Sequence, residues 1–220
     1  MKKILISLFA TLFVVATAHA EKRIGISGAY TMFSTDGTET VKSSAQKNKK
    51  THDDEVVVPS IFFEFVRDNG VAIGLDFIPV AAELGSATNA RVDTDTDDES
   101  DTAGDNKVGA ELTGHATLYV TLPVADRGLY LKGGIARATI DTTETLATGT
   151  KYGNEDVFGL MIGAGISKDV TNGVFIRSEI TYTDYEDASF KGTLDSDSVR
   201  NQIDGDVDAL AVRFSIGKQF

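Results

Sequence analysis

The sequence contains no cysteine and no tryptophan, and only three prolines and three histidines among its 220 residues. Without cysteine, disulfide staples, thiolate–metal centres and cysteine nucleophiles are excluded. Beyond the first 20 residues no apolar run approaches the roughly 18 residues that mark a membrane-spanning helix, so helical spans are excluded too. Basic residues are scarce, with 21 Lys and Arg against 33 Asp and Glu and a formal charge of −12. Such a surface repels phosphate backbones, and no nucleic-acid partner is expected.

The N-terminus reads as a processing segment. Lys2 and Lys3 form a basic start, Ile4 to Ala16 an apolar run, and Ala18-His19-Ala20 an A-x-A cleavage site. This is the anatomy of a secretory signal peptide, too short to span a bilayer as a helix. Cleavage is expected after Ala20, which leaves residues 21–220 as one exported domain.

What the mature chain has in abundance is alternation. Arg23–Phe33 places Ile24, Ile26, Gly28, Tyr30 and Met32 on one face and Gly25, Ser27, Ala29 and Thr31 on the other. A period of two puts those sets on opposite faces of a strand. The pattern returns in Val56–Val66, Val71–Ala82, Val108–Leu122, Leu129–Ile140, Val157–Ser167, Val174–Tyr185 and Asp208–Phe220. Long polar connections, Ser34–Glu55, Gly85–Lys107, Asp141–Asp156 and Asp187–Val207, take turns with short ones around Asp68-Asn69-Gly70, Pro123–Gly128 and Lys168–Gly173. An even number of strands joined by loops that alternate long and short is the signature of an outer-membrane barrel, with its short turns in the periplasm. The fold expected is all-β, an eight-stranded antiparallel up-and-down transmembrane barrel with long extracellular loops. Eight is also the smallest closed ring, its interior just filled by side chains.

The last strand carries the large residues Leu210, Val212, Phe214, Ile216 and Phe220 on one face and small or polar ones on the other. Together with Phe175-Ile-Arg-Ser-Glu-Ile-Thr-Tyr-Thr-Asp-Tyr185 and Leu129-Tyr-Leu-Lys-Gly-Gly-Ile135, it resembles the corresponding strands of the OmpA/OmpX-type outer-membrane β-barrel family. The resemblance covers essentially the whole mature chain. It implies location in the outer membrane, contact with outer-membrane lipid and lipopolysaccharide, and delivery by periplasmic chaperones to the barrel-assembly machinery. In that family the aromatic terminal strand is the assembly signal, which here falls on Phe214, Ile216 and Phe220. The third position from the end departs from the family pattern, being Lys218. Its ammonium can snorkel to the interface. No peptidoglycan-binding domain is expected, and any interfacial aromatic belt must be built from Tyr and Phe.

The small face carries charge at mid-strand positions, namely Glu64, Asp76, Glu111, His115, Lys132, Arg177, Glu179 and Arg213. Facing lipid, a basic side chain there would cost about 2–4 kcal/mol. Facing inward, opposite charges can pair. All eight are therefore expected in a polar interior network. Turn positions place Glu64 near Gly74 and diagonal to Asp76, two carboxylates that need a cation from across the barrel or one shared proton. The same reasoning places Arg177 near Gly165 and Glu179 near Gly163. The expected role is non-enzymatic, in envelope structure or surface interaction, with a plugged interior. A narrow ion-conducting channel is the alternative use of the same network.

Other features are less specific. The second long loop carries Asp93, Asp95, Asp97, Asp98, Glu99 and Asp101, a weak divalent-cation candidate. The glycine and glutamate of a calcium loop are replaced there by Asp98 and Gly104. No dedicated metal site or cofactor is expected. A lipid-modifying enzyme would need a histidine beside a serine, for which His52 with Ser34, Ser43 or Ser44 is the available set. A soluble lipocalin-like barrel shares the alternation but inverts it, holding Ile61, Phe63 and Phe65 inside and exposing Glu64 and Arg177.

Overall fold

The structure is a computed structural model that describes residues 21–41, 46–91, 104–124, 127–146, 151–192 and 202–220. The strands are β1 (Glu21–Val41), β2 (Gln46–Val66), β3 (Ala72–Phe77), β4 (Ala82–Arg91) and β5 (Gly104–Pro123). They continue with β6 (Leu129–Thr145), β7 (Asn154–Asp169), β8 (Val174–Tyr185), β9 (Ala188–Lys191) and β10 (Gln202–Gln219). They form one antiparallel ring of eight staves. β3 and β4 share the third stave, both against β5, and β8 and β9 share the seventh, both against β10. The ring closes where β1 pairs β10 from Arg23↔Gln219 to Thr40↔Gln202. Backbone bonds between Lys22 and Phe220 in both directions tie the last residue to the first strand. Closure removes the sheet edges that would otherwise present unpaired N–H and C=O groups.

The outer face is the apolar one. Ile26, Val57, Ile61, Leu160, Ile162 and Phe214 are each at least half exposed. The inner face carries the charges, with Glu64 fully buried. This polarity is the inverse of a lipocalin-like barrel, so the soluble reading falls.

Three expectations need correction. First, the long loops are largely strand: β1 and β2 pair through Val41↔Gln46, and β6 and β7 through Asp141↔Asn154. These extensions stand beyond the apolar outer band, where the outer face meets no lipid and is polar like the inner one over most of their length, so no period of two marks them. Second, the β7–β8 turn is centred further along than expected. Asn172 and Gly173 both take positive φ, and Val170 and Val174 close the loop through backbone bonds. Arg177 therefore lies opposite Ser167, and Glu179 opposite Gly165. Third, β5 carries a bulge between Thr113 and Ala116, with Gly114 at φ 58°. One extra residue reverses the facing of everything on one side of it. Leu112 consequently points into the core and Glu111 points out, opposite Glu83 and Asp141.

Width is the limiting quantity inside a ring of eight. Four inward aromatic rings each lie over a glycine on a neighbouring strand. A Cβ added to Gly25 would come within 2.3 Å of Phe62, to Gly217 within 2.3 Å of Phe175, to Gly74 within 2.4 Å of Tyr119, and to Gly165 within 2.5 Å of Tyr130. Gly74→Val should accordingly destabilise the folded barrel by about 1–3 kcal/mol through overpacking against Tyr119. Urea unfolding in lipid vesicles measures this, and unchanged stability would show that Tyr119 has room to move.

Candidate functional site: the barrel interior

Glu21 and Phe220 lie at one end of the barrel and the extended hairpins at the other. The terminal half of the interior is polar and built from paired charges. β2 and β8 supply Glu64 and Arg177, whose two guanidinium nitrogens donate to the two carboxylate oxygens at 2.6 Å each. Tyr119 on β5 donates to the same carboxylate at 2.8 Å. The Arg177 guanidinium is also within 4.9 Å of the Phe175 ring centroid and 5.3 Å of the Phe62 centroid. A bidentate fork of this kind is the strongest pairing available to a buried carboxylate. A second unit joins β10 to β3: Arg213 donates to Asp76 at 2.6 Å, and Ser60 bonds the same oxygen at 2.8 Å. A third joins β6 to β8, with Lys132 donating to Glu179 at 3.0 Å while its ammonium lies 4.0 Å from the Tyr119 centroid.

Seven of the eight expected interior residues thus share the interior. Glu64 does stand opposite Gly74, and the two neighbouring carboxylates draw their cations from across the barrel, Glu64 from Arg177 and Asp76 from Arg213. The exception is Glu111, which the bulge turns outward. His115 is buried beside Tyr185, 6.3 Å between ring centroids, and makes no ion pair among the described residues.

The hairpin half of the interior is apolar, which the alternation alone did not reveal. Phe33, Val58, Leu84, Leu112, Ile140 and Phe190 belong to one buried cluster. Between this cluster and the charges lies a cavity of about 40 Å³. Phe33, Val58, Ile78, Leu112, Met161 and Tyr185 line its apolar side. Thr31, Thr117, Thr181, Thr183, His115 and Arg213 line its polar side, each on the terminal-end side of the apolar neighbours in its strand. The signal that could have exposed this chamber is Gly114 inside a strand pattern, which marks a bulge.

The wall beside the cavity is interrupted. β2 pairs with β3 from Ile61 to Val66, but among the described residues no ladder joins β2 to β4. The chain breaks between the two short strands at Ile78-Pro79-Val80-Ala81, and proline has no N–H to give a ladder. Val58, Ile78 and Ala82, which border the interruption, also line the cavity. Val57, Pro59, Phe77 and Val80 are exposed on the outside at the same level.

The remaining candidates disperse. Ser34 donates to Asp53 at 2.8 Å. His52 pairs opposite Thr35, on the other face from Ser34, and its ring packs over Gly85. The described members of the proposed hydrolytic set are therefore apart, and Ser43 and Ser44 lie outside the described residues, as do the signal segment and Asp93, Asp95, Asp97, Asp98, Glu99 and Asp101. Among the described residues no group of three or more His, Asp or Glu side chains is arranged to hold a metal ion. On the hairpin end, hydrogen bonds from Thr139 and Arg137 hold the Asp156 carboxyl below its ordinary range. Burial, followed by the neighbouring Asp187, Asp208, Asp184 and Asp36, raises that of Asp206. Phe214, Ile216 and Phe220 are exposed on the outer wall, and Lys218 donates to the carbonyl of Asn172.

No protein-family model matches the sequence, and no curated protein matches it either. The fold does have known counterparts. The outer membrane protein OprG from Pseudomonas aeruginosa aligns over 92% of this chain and 97% of its own, at 13% identity and a TM-score of 0.58. The outer membrane protein AlkL, solved by solid-state NMR in lipid bilayers, aligns over 92% and 90%, at 12% identity and a TM-score of 0.52. At these identities what is shared is the barrel fold.

Removing one partner of a buried pair leaves a bare charge, which costs about 3–5 kcal/mol. Glu64→Ala should lose stability of that order. Glu64→Leu combined with Arg177→Met should recover part of it, because no charge is then left unpaired. Equal losses in the single and double variants, read by urea unfolding in lipid vesicles, would show that the pair itself contributes net stability.

Proposed function

We propose that this chain is a non-enzymatic integral outer-membrane barrel that is closed to through-flow and acts in envelope structure or by presenting its hairpins outside. The observation that carries the reading is the bidentate Glu64–Arg177 pair, wedged with Tyr119 across a ring only eight strands wide. Membrane residence is supported by the exposed apolar outer wall, which water would not tolerate and hydrocarbon would. In this orientation the terminal end faces the periplasm, the hairpins face outward, and outer-membrane lipid and lipopolysaccharide are the surroundings. Phe214, Ile216 and Phe220, exposed at the closing strand, are available to an assembly machinery as the terminal signal. Fractionation with outer membranes, slower or faster gel migration before boiling than after, and no steady conductance in planar bilayers are the expected results. Quantitative recovery in the soluble periplasm would overturn the membrane assignment, and large stable open channels would overturn the plug.

A second reading is favoured by the interrupted wall. The chamber above the plug is apolar, it is stopped on the periplasmic side, and the missing β2–β4 ladder lies against it at the level of exposed apolar residues. That geometry suits sideways exchange of small apolar molecules between the chamber and the surrounding lipid. n-Hexane added to the barrel in lipid nanodiscs should shift the methyl resonances of Val58 and Ile78. Ala82→Phe, which adds bulk where the ladder is missing, should abolish those shifts. Shifts confined to outward residues such as Ile162 would show that the wall is shut.

A further inference from the structure

The outer wall is hollowed where the ring closes. A depression of about 370 Å³ lies there, lined by Ile24, Ile26, Ile61, Val174, Ile216 and Lys218 over the paired backbones of Gly25 and Gly217. That volume falls within the roughly 300–1,000 Å³ of small-molecule sites. The hollow continues toward the middle of the wall. Gly28, two residues on from Ile26 and on the same face, pairs with Phe214 and Pro59, and a Cβ there would meet nothing within 4 Å. From Ile24 to Gly28 is about 13 Å along the strand, close to the roughly 15 Å that one leaflet contributes to a hydrocarbon core. An acyl chain laid in such a trough gains contacts on its sides that a convex wall does not offer.

Charge at the rim decides the head group. Lys218 lies opposite Ile24, Lys168 opposite Ile176, and Lys22 is tied through its backbone to Phe220, so three lysines face outward at the terminal end of this wall. Lys22 and Lys168 are exposed. Lys218 donates to the Asn172 carbonyl, which fixes its ammonium at the rim and leaves two of its three donors free. Among the described residues, no carboxylate side chain faces outward at this end of β7, β8, β10, β1 or β2. The chain-end carboxylate of Phe220 is the one negative group beside them, so the surplus is positive. The hairpin end of the same wall is the opposite. Directly above the apolar band stand Asp36, Asp53, Glu55, Asp184, Asp206 and Asp208, and lysines return further out at Lys49, Lys47 and Lys191. A phosphate is therefore drawn to the periplasmic rim and repelled at the outward one. In an outer membrane the periplasmic leaflet is phospholipid and the outward one lipopolysaccharide, which selects the occupant.

We infer that this hollow is a binding site for an anionic phospholipid of the periplasmic leaflet, its phosphate held by Lys218 and Lys22 and one acyl chain laid along Ile24, Ile26 and Gly28. The inference rests on the membrane assignment. That assignment fails at fractionation, whereas a missing lipid site leaves the barrel in the membrane fraction.

The test places the barrel in phosphatidylcholine nanodiscs with increasing fractions of phosphatidylglycerol. Methyl NMR follows Ile24, Ile26 and Ile216, with the outward Leu131 on β6 as control. The three isoleucines should shift saturably and be half-shifted when about a tenth of the lipid is phosphatidylglycerol, a preference of about ten-fold. Leu131 should shift only in proportion to composition. Lys22→Gln combined with Lys218→Gln should move the midpoint to about equal amounts of the two lipids. Lys22→Gln alone, at an exposed position, should move it part of the way, which keeps the inference testable if the double variant fails to fold. Gly28→Leu, which fills the slot, should abolish the saturable shifts. Proportional shifts at all four residues would overturn the site and leave an ordinary lipid annulus. An unchanged midpoint in the lysine variants would overturn the head-group assignment. Saturation by lipid A at lower fractions than by phosphatidylglycerol would overturn the choice of leaflet.

Discussion

The barrel's interior is no wider than its own side chains, and most of its sequence follows from that constraint. A ring of eight staves leaves room for one large residue at a given level only if its neighbours are small. Gly25, Gly74, Gly165 and Gly217 supply that room for Phe62, Tyr119, Tyr130 and Phe175. Because the space around the charges is crowded with side chains, little solvation is available there and each charge inside meets its opposite. The Glu64–Arg177 fork, the Arg213–Asp76–Ser60 cluster and the Lys132–Glu179 pair are solutions to one packing problem. Stability is not the main product of such pairs, since desolvation offsets much of their attraction. What they add is a fixed arrangement, for any slip in register would strand a charge.

Much of this was legible from residues alone because alternation is strict wherever one face meets lipid and the other a crowded interior. Ile24 to Met32, Leu129 to Ile135 and Phe158 to Ile166 all face as their pattern requires. Glu64 and Asp76 could be placed as neighbours because the Asp68-Asn69-Gly70 turn fixes register tightly, with Gly70 at φ 80° and Asn69 bonding the amide of Val71. Where the turn was less specific, as at Val170–Gly173, the register came out displaced. A two-residue shift keeps the facing of Arg177 and Glu179, so the network survived an error in its neighbours.

Facing reverses only where an odd residue intrudes, and there the local pattern misleads. Glu111 and His115 share a parity in the sequence, yet the bulge at Gly114 sends one outward and the other inward. The same residue brings Leu112 inside, where it joins Phe33, Val58 and Ile140, whose parity already faced inward. The hairpin extensions were missed for a related reason. Residues such as Thr38, Lys49 and Lys50 pair across a ladder in a stretch that is polar on both faces, so nothing in their order of polarity records that they are strands.

These irregularities are not scattered around the ring. The bulge on β5 and the break at Ile78-Pro79-Val80-Ala81 lie on neighbouring staves, joined by the bond from the Ile78 amide to the His115 carbonyl. A closed barrel gains nothing in stability from an unpaired stretch of wall, since each ladder bond it forgoes has no water in hydrocarbon to replace it. Both departures instead border one cavity, and they bring His115 to its polar side and Ile78 to its apolar side. A regular eighth of the ring would have filled that space with one more alternating strand. The chain keeps strict order where it must seal and gives it up beside the chamber, so the shape of the chamber follows from the placement of the defects rather than from any single residue.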